Sequence, residues 1–365
     1  MSEIIIKPSQ LNINFDDINM SNMIDDGKDD SNDDNIKYLN TQLNNNSKRL
    51  NNSYIATKYL GDESNNKLYL LQPRNITPQN TSHKYICKQI NIPSNDRKLL
   101  QHIKFEIELL KYLSSKKNTN EYINPCIDSI IDKNNVITIF PIFNGSSFPR
   151  YKYHMLKELN NNEYTNLAFL LSKNLLLGLG AIHHNNIAHQ NITPNSILIS
   201  TSDVSNINIK YTDFVLGCGN YFNPDDNTIS ITEKCNISNV PVKIDSSIIS
   251  KLGTSNYLDI AIKNDIWRLG IILLELLLPH ENIISQHSEN MVKYGWTTDI
   301  DMLCKELLMK YYYSIPEEER ENDKFAYYIW LIINTMIQPI NKRKTCKYVV
   351  DKLIIFEKYI GEDFN

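Results

Sequence analysis

Residues 187–199 read "IAHQNITPNSILI". Both ends are apolar, and the middle is polar with one histidine and one proline. Its reactive positions are neutral: Gln190, Asn191, Thr193 and Ser196. A carboxylate could take a proton and a lysine could neutralise a phosphate, but amides and hydroxyls do neither well. What the chain is for turns on whether this is a working loop or only the frame of one.

The surrounding composition narrows the classes. The chain has 365 residues, 41% of them hydrophobic, enough for a two-lobed core with a tail left over. A net charge of −4 argues against a general nucleic-acid binder. The six cysteines (87, 126, 218, 235, 304 and 346) form no C-x-x-C pair and read as reduced, mostly buried thiols. His183, His184 and His189 lack cysteine or carboxylate neighbours at metal-ligand spacing, so no structural metal is expected. There is no signal-peptide pattern at the start. The most apolar run, "LGIILLELLLP" (269–279), is too short for a bilayer and carries Glu275. A soluble, intracellular, cytoplasmic protein is expected, without membrane or nucleic-acid partners. The asparagine abundance matches an A/T-rich genome such as that of a giant DNA virus or some protists, hence a host cytoplasm or virion if viral.

Along the chain, residues 1–52 are rich in Asn and Asp, with paired aspartates at 16–17, 25–26, 29–30 and 33–34. They read as a disordered acidic tail, or as a tail whose "SEIIIKPSQLNI" (2–13) docks as a short strand. Residues 53–143 are mostly strand-like, with "KLYLLQP" (67–73), "KYICKQI" (84–90) and "NVITIFPIF" (135–143). One helix interrupts them at 99–115, where Leu99, Ile103, Ile107, Leu110 and Leu113 recur at helical spacing. From 144 to 365 the pattern turns helical, with main helices at 165–184, 263–279, 299–314, 323–338 and 345–360.

This order, with several motifs in register, resembles the eukaryotic protein-kinase superfamily over about residues 54–360. The resemblance implies an α+β, bilobal fold: a small β-rich N-lobe with one main helix, then a larger helical C-lobe. Phosphoryl transfer needs charge neutralisation, metal and positioning, and little covalent work from the protein. Lys88 resembles the strand lysine that reaches the phosphates of ATP, and Glu106, 18 residues later, the helix glutamate that holds it. "YTDFVLG" (211–217) is similar to the D-F-G segment, so Asp213 would bind Mg²⁺ and Phe214 would pack beneath the helix carrying Glu106. Gly61, Leu68, Ile86, Phe143 and Leu198 fall at nucleotide-pocket positions, with Phe140 and Pro141 at the gatekeeper and hinge. Asp265, Trp267 and Gly270 fit the core helix whose aspartate braces the catalytic loop.

The departures concentrate on the reactive groups. In the loop pattern H-R-D-x-K-x-x-N, Gln190 stands for the arginine and Asn191 for the catalytic aspartate. Thr193 stands for the lysine, and Ser196 for the asparagine that binds a second Mg²⁺. The glycine-rich loop aligns on "GDESNN" (61–66), where Glu63 and Asn66 replace two glycines and a carboxylate would repel phosphate. Ile86 would crowd a purine, and Val215 replaces the glycine of D-F-G. Asp259, Ile260 and Ala261 replace A-P-E, so Arg343 would lack its partner; residues 218–251 look like an insertion in the activation segment.

The expectation is a pseudokinase: a kinase-like domain acting as scaffold or regulator of an unidentified protein partner, binding ATP and Mg²⁺ weakly if at all. Two alternatives stay open. One is an enzyme, a divergent active serine/threonine kinase acting on a protein substrate or a nucleotide hydrolase; the other is an unrelated α+β interaction protein.

Overall fold

The computed structural model describes residues 30–46, 50, 54–63, 66–74, 84–93, 96–132, 135–201, 207–214, 217–223, 228–231, 257–281, 298–320 and 322–362. They divide into two compact units, Met1–Ser146 with Leu198–Val215, and Ser147–Ile197 with Leu216–Asn365. The first unit therefore takes in a stretch, Leu198–Val215, that the sequence reading assigned to the second lobe.

The first unit is built on an antiparallel sheet in the order β1-β2-β3-β5-β4. Its strands are β1 (Tyr54–Glu63), β2 (Asn66–Pro73), β3 (Tyr85–Asn91), β4 (Asp128–Ile131) and β5 (Asn135–Pro141). Side chains alternate across a strand, so the pairing register sorts them onto two faces. Leu68 lies opposite Lys88, and Ile86 opposite Leu70 and Phe140. Tyr69 lies opposite Cys87, and Cys87 opposite Ile139. The second set is fully buried.

The cover over that second face overturns one expectation. Residues 1–52 do not all form a disordered tail: Asp30–Asn45 is a helix, α1. Ile36, Leu39 and Leu43 recur at helical spacing, and Leu39 and Leu43 pack with Tyr54, Tyr69, Leu71, Cys87 and Ile137 in one core. Of the aspartates that suggested disorder, Asp30, Asp33 and Asp34 fall in its first turns, where the helix dipole favours negative charge, and the others lie outside the described residues. The "SEIIIKPSQLNI" segment lies outside the described residues.

Helix α2 (Arg97–Ser115) begins at Asp96, whose side chain accepts the Leu99 N–H, and buries Ile103, Ile107, Leu110 and Leu113. Beyond it, the Tyr211 N–H donates to the Tyr122 carbonyl at 2.8 Å, tying β9 (Ile207–Tyr211) to the chain that follows α2. β9 runs beside β8 (Ile197–Thr201).

The second unit is mainly helical: α3 (Phe148–Glu158), α4 (Asn161–His184), α5 (Tyr257–Leu277), α6 (Thr298–Tyr311), α7 (Glu317–Arg320), α8 (Lys324–Thr335) and α9 (Cys346–Glu362). Helix α4 starts on a capping box between Asn160 and Glu163. It is long and apolar enough to cross a membrane, yet most of its apolar residues are buried, and it packs on α5 and α9. At Gly270 of α5 a Cβ would lie 2.9 Å from the Met336 Cβ, so only glycine lets α5 approach the end of α8 this closely. Of the region expected as an insertion, β10 (Cys218–Asn223) and β11 (Thr228–Ile231) form an antiparallel hairpin, and β10 also pairs with β7 (Ile187–Ala188). Cys87, Cys126, Cys304 and Cys346 are free and buried, whereas Cys218 is disulfide-bonded, contrary to the all-thiol expectation.

Candidate active site

In the first unit, the sheet face opposite α1 carries Lys88 with Leu68 and Ile86, both half-buried. The Lys88 ammonium lies 3.5 Å from the Asp213 carboxylate. Asp213 takes a left-handed backbone (φ 60), a region Asp enters more easily than most residues, and Phe214 beside it is fully buried. Glu106 of α2 comes close to both charges. Burial pushes its carboxyl up to about 7, while Lys88 and the Phe214 N–H, which it accepts, pull it back. Asp213 adds to the rise.

The expected Lys88–Glu106 ion pair is therefore not the one that forms. Lys88 pairs with Asp213, and Glu106 is engaged by the Phe214 backbone. Taking a half-buried carboxyl out of water costs more than the nearby Lys88 ammonium returns, so Glu106 holds its proton to a higher pH than an ordinary glutamate.

Gly61 keeps its glycine for a reason of its own: φ is +120, at a register shift between Tyr59 and Gly61 in the β1–β2 pairing. That backbone demands glycine without reference to any phosphate. The register closes through Asp62↔Lys67 and Glu63↔Asn66, which puts two acidic residues at the tip of this hairpin. Asp62 also bonds the Tyr59 hydroxyl, whose pKa is pushed up to about 12, mainly by burial. Phe143 is nearly buried near the Ile199 backbone, beside half-buried Leu198. Val215 lies outside the described residues.

In the second unit, the loop that opens at Ile187 is braced as the family resemblance implies. Asp265, fully buried on α5, accepts the His189 N–H at 2.6 Å and the Gln190 N–H at 2.7 Å. His183 Nε2 sits 3.2 Å from the same carboxylate, so the histidine weighed as a metal ligand is a brace partner instead. Among the described residues no cluster could hold a metal ion. Gln190 has φ 58, a strained value for its side chain, and the two bonds to Asp265 hold it there.

The remaining polar residues of the loop largely serve the loop. Thr193 Oγ1 accepts the Ser196 N–H at 3.2 Å. Ser196 Oγ accepts the Thr193 N–H and donates to the Thr193 carbonyl, both at 2.9 Å. The result is a reciprocal capping box around one turn of 3-10 helix, Pro194–Ser196. Ser196 is fully buried with its hydroxyl committed, which removes it as the weak Mg²⁺ ligand expected from its position. Asn191 is half-exposed, and its N–H donates to His189 Nδ1 at 3.2 Å.

Arg343 has the fate its lost partner implies. It is 4% exposed, donates to the carbonyls of Gln338 (2.7 Å) and Lys263 (3.1 Å), and lies 4.5 Å over the Trp267 ring. Its hydrogen-bond partners here are carbonyls, and burial pulls its pKa down to about 9. Asp259, at the A-P-E position, pairs with Lys263 at 2.9 Å instead.

Comparison with known proteins agrees with this construction. The family model of the protein kinase domain matches residues 74–354. The chain is 23% identical over 284 residues to calcium-dependent protein kinase 4 of Plasmodium berghei (strain Anka), and equally to that of Plasmodium falciparum (isolate 3D7). Each match covers 75% of this chain and 44% of the relative, so the chain spans less than half of those proteins. A twitchin kinase fragment of C. elegans shares the fold with a TM-score of 0.50 at 15% identity, over 82% of this chain and 56% of that one. With the sheet-borne lysine, the left-handed aspartate and the braced loop in place, this chain belongs to the protein kinase domain family.

Proposed function

We propose that this protein is a catalytically impaired kinase domain, a pseudokinase, that acts on a protein partner by binding rather than by phosphorylating it. The observation that carries the reading is the loop 187–199. Asn191 offers no carboxylate, and Thr193 and Ser196 spend their hydroxyls on each other. General-base help is worth about 10²–10⁴-fold in rate, and a neutral amide forgoes most of it.

The fit to ATP and Mg²⁺ is partial. Lys88 and Asp213, 3.5 Å apart, suit phosphate and one metal ion, with Leu68, Ile86, Phe143 and Leu198 for the base. Ser196 has its hydroxyl committed within the loop, and Asp62 beside the hairpin tip places a carboxylate that would repel phosphate. Bound Mg²⁺ would supply charge neutralisation; Lys88 would orient the phosphates. Cytoplasmic residence, and a partner that is neither nucleic acid nor membrane, belong to the same proposal.

A second reading, a weak serine/threonine kinase, draws on the intact Asp265 brace and the Lys88–Asp213 pair. Two experiments separate them. A thermal-shift titration with ATP, with and without Mg²⁺, reports binding; a ligand at about 100 Kd adds roughly 2.7 kcal/mol. Labelled-phosphate transfer that disappears in both Lys88→Ala and Asp213→Ala would establish the kinase and end the pseudokinase reading.

A further inference from the structure

Helix α1 does more than complete a core. Strand β1 is an edge of the sheet, and its backbone is irregular, with register shifts between Ala56 and Lys58 and between Tyr59 and Gly61. Edge strands with such breaks pair weakly and bend easily. Asn40 of α1 meets this weak point. Its Oδ1 accepts the Ala56 N–H at 2.8 Å and its Nδ2 donates to the Ala56 carbonyl at 3.2 Å. One side-chain amide thus replaces a neighbouring strand at the residue that opens the first shift.

Nearer the hairpin tip, Lys67 of β2, opposite Asp62, donates to Asn35 Oδ1 at 2.6 Å. Leu39, between these two tethers, and Leu43, one turn past Leu39, pack into the core that holds Tyr69 and Leu71 of β2. Strand residues on both sides of the hairpin are therefore fixed to one rigid helix.

We infer that α1 is a built-in clamp on the β1–β2 hairpin, with Asn40 as the positioning residue that sets where the hairpin stands. The inference rests on the kinase reading only for what the hairpin covers, a nucleotide. The clamp makes the hairpin a stiff cover, in place of the pliable one that a glycine-rich tip gives. It holds Gly61 and the acidic tip in one place whether or not a ligand is present.

The test is amide hydrogen exchange on the full chain, comparing wild type, Asn40→Ala and Asn40→Asp, with α5 peptides as internal reference. Nucleotide affinity is read in parallel by thermal shift with ATP and Mg²⁺. Asn40→Ala should speed exchange across Tyr54–Pro73 about tenfold with α5 unchanged, and tighten nucleotide binding several-fold as the loosened tip carries Asp62 away from the phosphates. Asn40→Asp keeps the acceptor for the Ala56 N–H and should fall between the two. Unchanged hairpin exchange, or equal acceleration in α5, would overturn the clamp. If wild type binds no nucleotide, the ATP reading fails while the exchange result still decides the clamp.

Discussion

The Lys88 cluster and the Ile187–Ile199 loop have diverged in opposite ways. Around Lys88 the charged side chains are all present, but their pairing is rearranged: lysine to Asp213, glutamate to a backbone amide. In the loop the scaffolding is intact down to two short bonds from Asp265, yet each group that would act on a phosphate is gone. Bracing a backbone and supplying reactive groups are separate demands, met by different residues. A chain can keep one and abandon the other.

The comparison predicts that loop chemistry, rather than loop position, limits transfer. Asn191→Asp places a carboxylate on a backbone already braced, so phosphate transfer should rise by about 10²–10⁴-fold over wild type. A radiolabel assay with Asp213→Ala as background checks it. A silent Asn191→Asp protein would mean that the loss extends to the hairpin and the Thr193–Ser196 box.

The brace itself should carry the largest stability effect. Asp265→Ala orphans two buried backbone N–H groups and releases the strain at Gln190. A loss of about 3–5 kcal/mol in urea unfolding is expected. Arg343→Ala, which strips two buried carbonyls and the Trp267 face of their partner, should cost about 2–4 kcal/mol by the same measurement. A cost near zero for Asp265→Ala would mean that the loop stands without its brace, and one near zero for Arg343→Ala that its two carbonyls find other partners.

Much of this was legible in the sequence because it is periodic or local. Helix α2 announced itself through Ile103, Ile107 and Leu110, and the strands through β-rich runs around Lys88. The Thr193–Ser196 box was also within reach, since a hydroxyl residue three before another, with proline between, is a cap spacing. At positions where the family places reactive groups, that capping role competes with a chemical one. Helix α1 was hidden by composition: Ile36, Leu39 and Leu43 carry helical spacing inside a stretch dominated by Asn and Asp. Its stability is tertiary, from the sheet it covers, so no local signal could establish it. The partner of Lys88 was out of reach for the same reason, because it depends on the burial of Glu106 in three dimensions.

Glu106 also sharpens the comparison through pH. Its ordinary value is 4.5 and its folded value about 7, so the folded state holds the proton more tightly than the unfolded chain. Stability must then fall as pH rises from about 4.5 to 7 and level off above it. Glu106→Gln removes that slope and keeps an acceptor for the Phe214 N–H. The variant should match wild type near pH 4.5 and exceed it by on the order of 2 kcal/mol at pH 8, allowing for partial exposure. Parallel profiles would place the charge of Glu106 in a tight pair with Lys88, erasing the difference between the two regions.

The smallest effect is expected at Gly61. Alanine there meets no atom within 4 Å, so its cost is purely the backbone at φ +120, about 1 kcal/mol. If the glycine serves the register shift alone, Gly61→Ala should lower the melting temperature by a few degrees and leave the ATP affinity of the surviving folded protein unchanged. A selective loss of nucleotide binding at unchanged melting temperature would instead give Gly61 its family role near the phosphates. The hairpin would then join the reactive half of the comparison, although its neighbour Asp62 argues against a close phosphate.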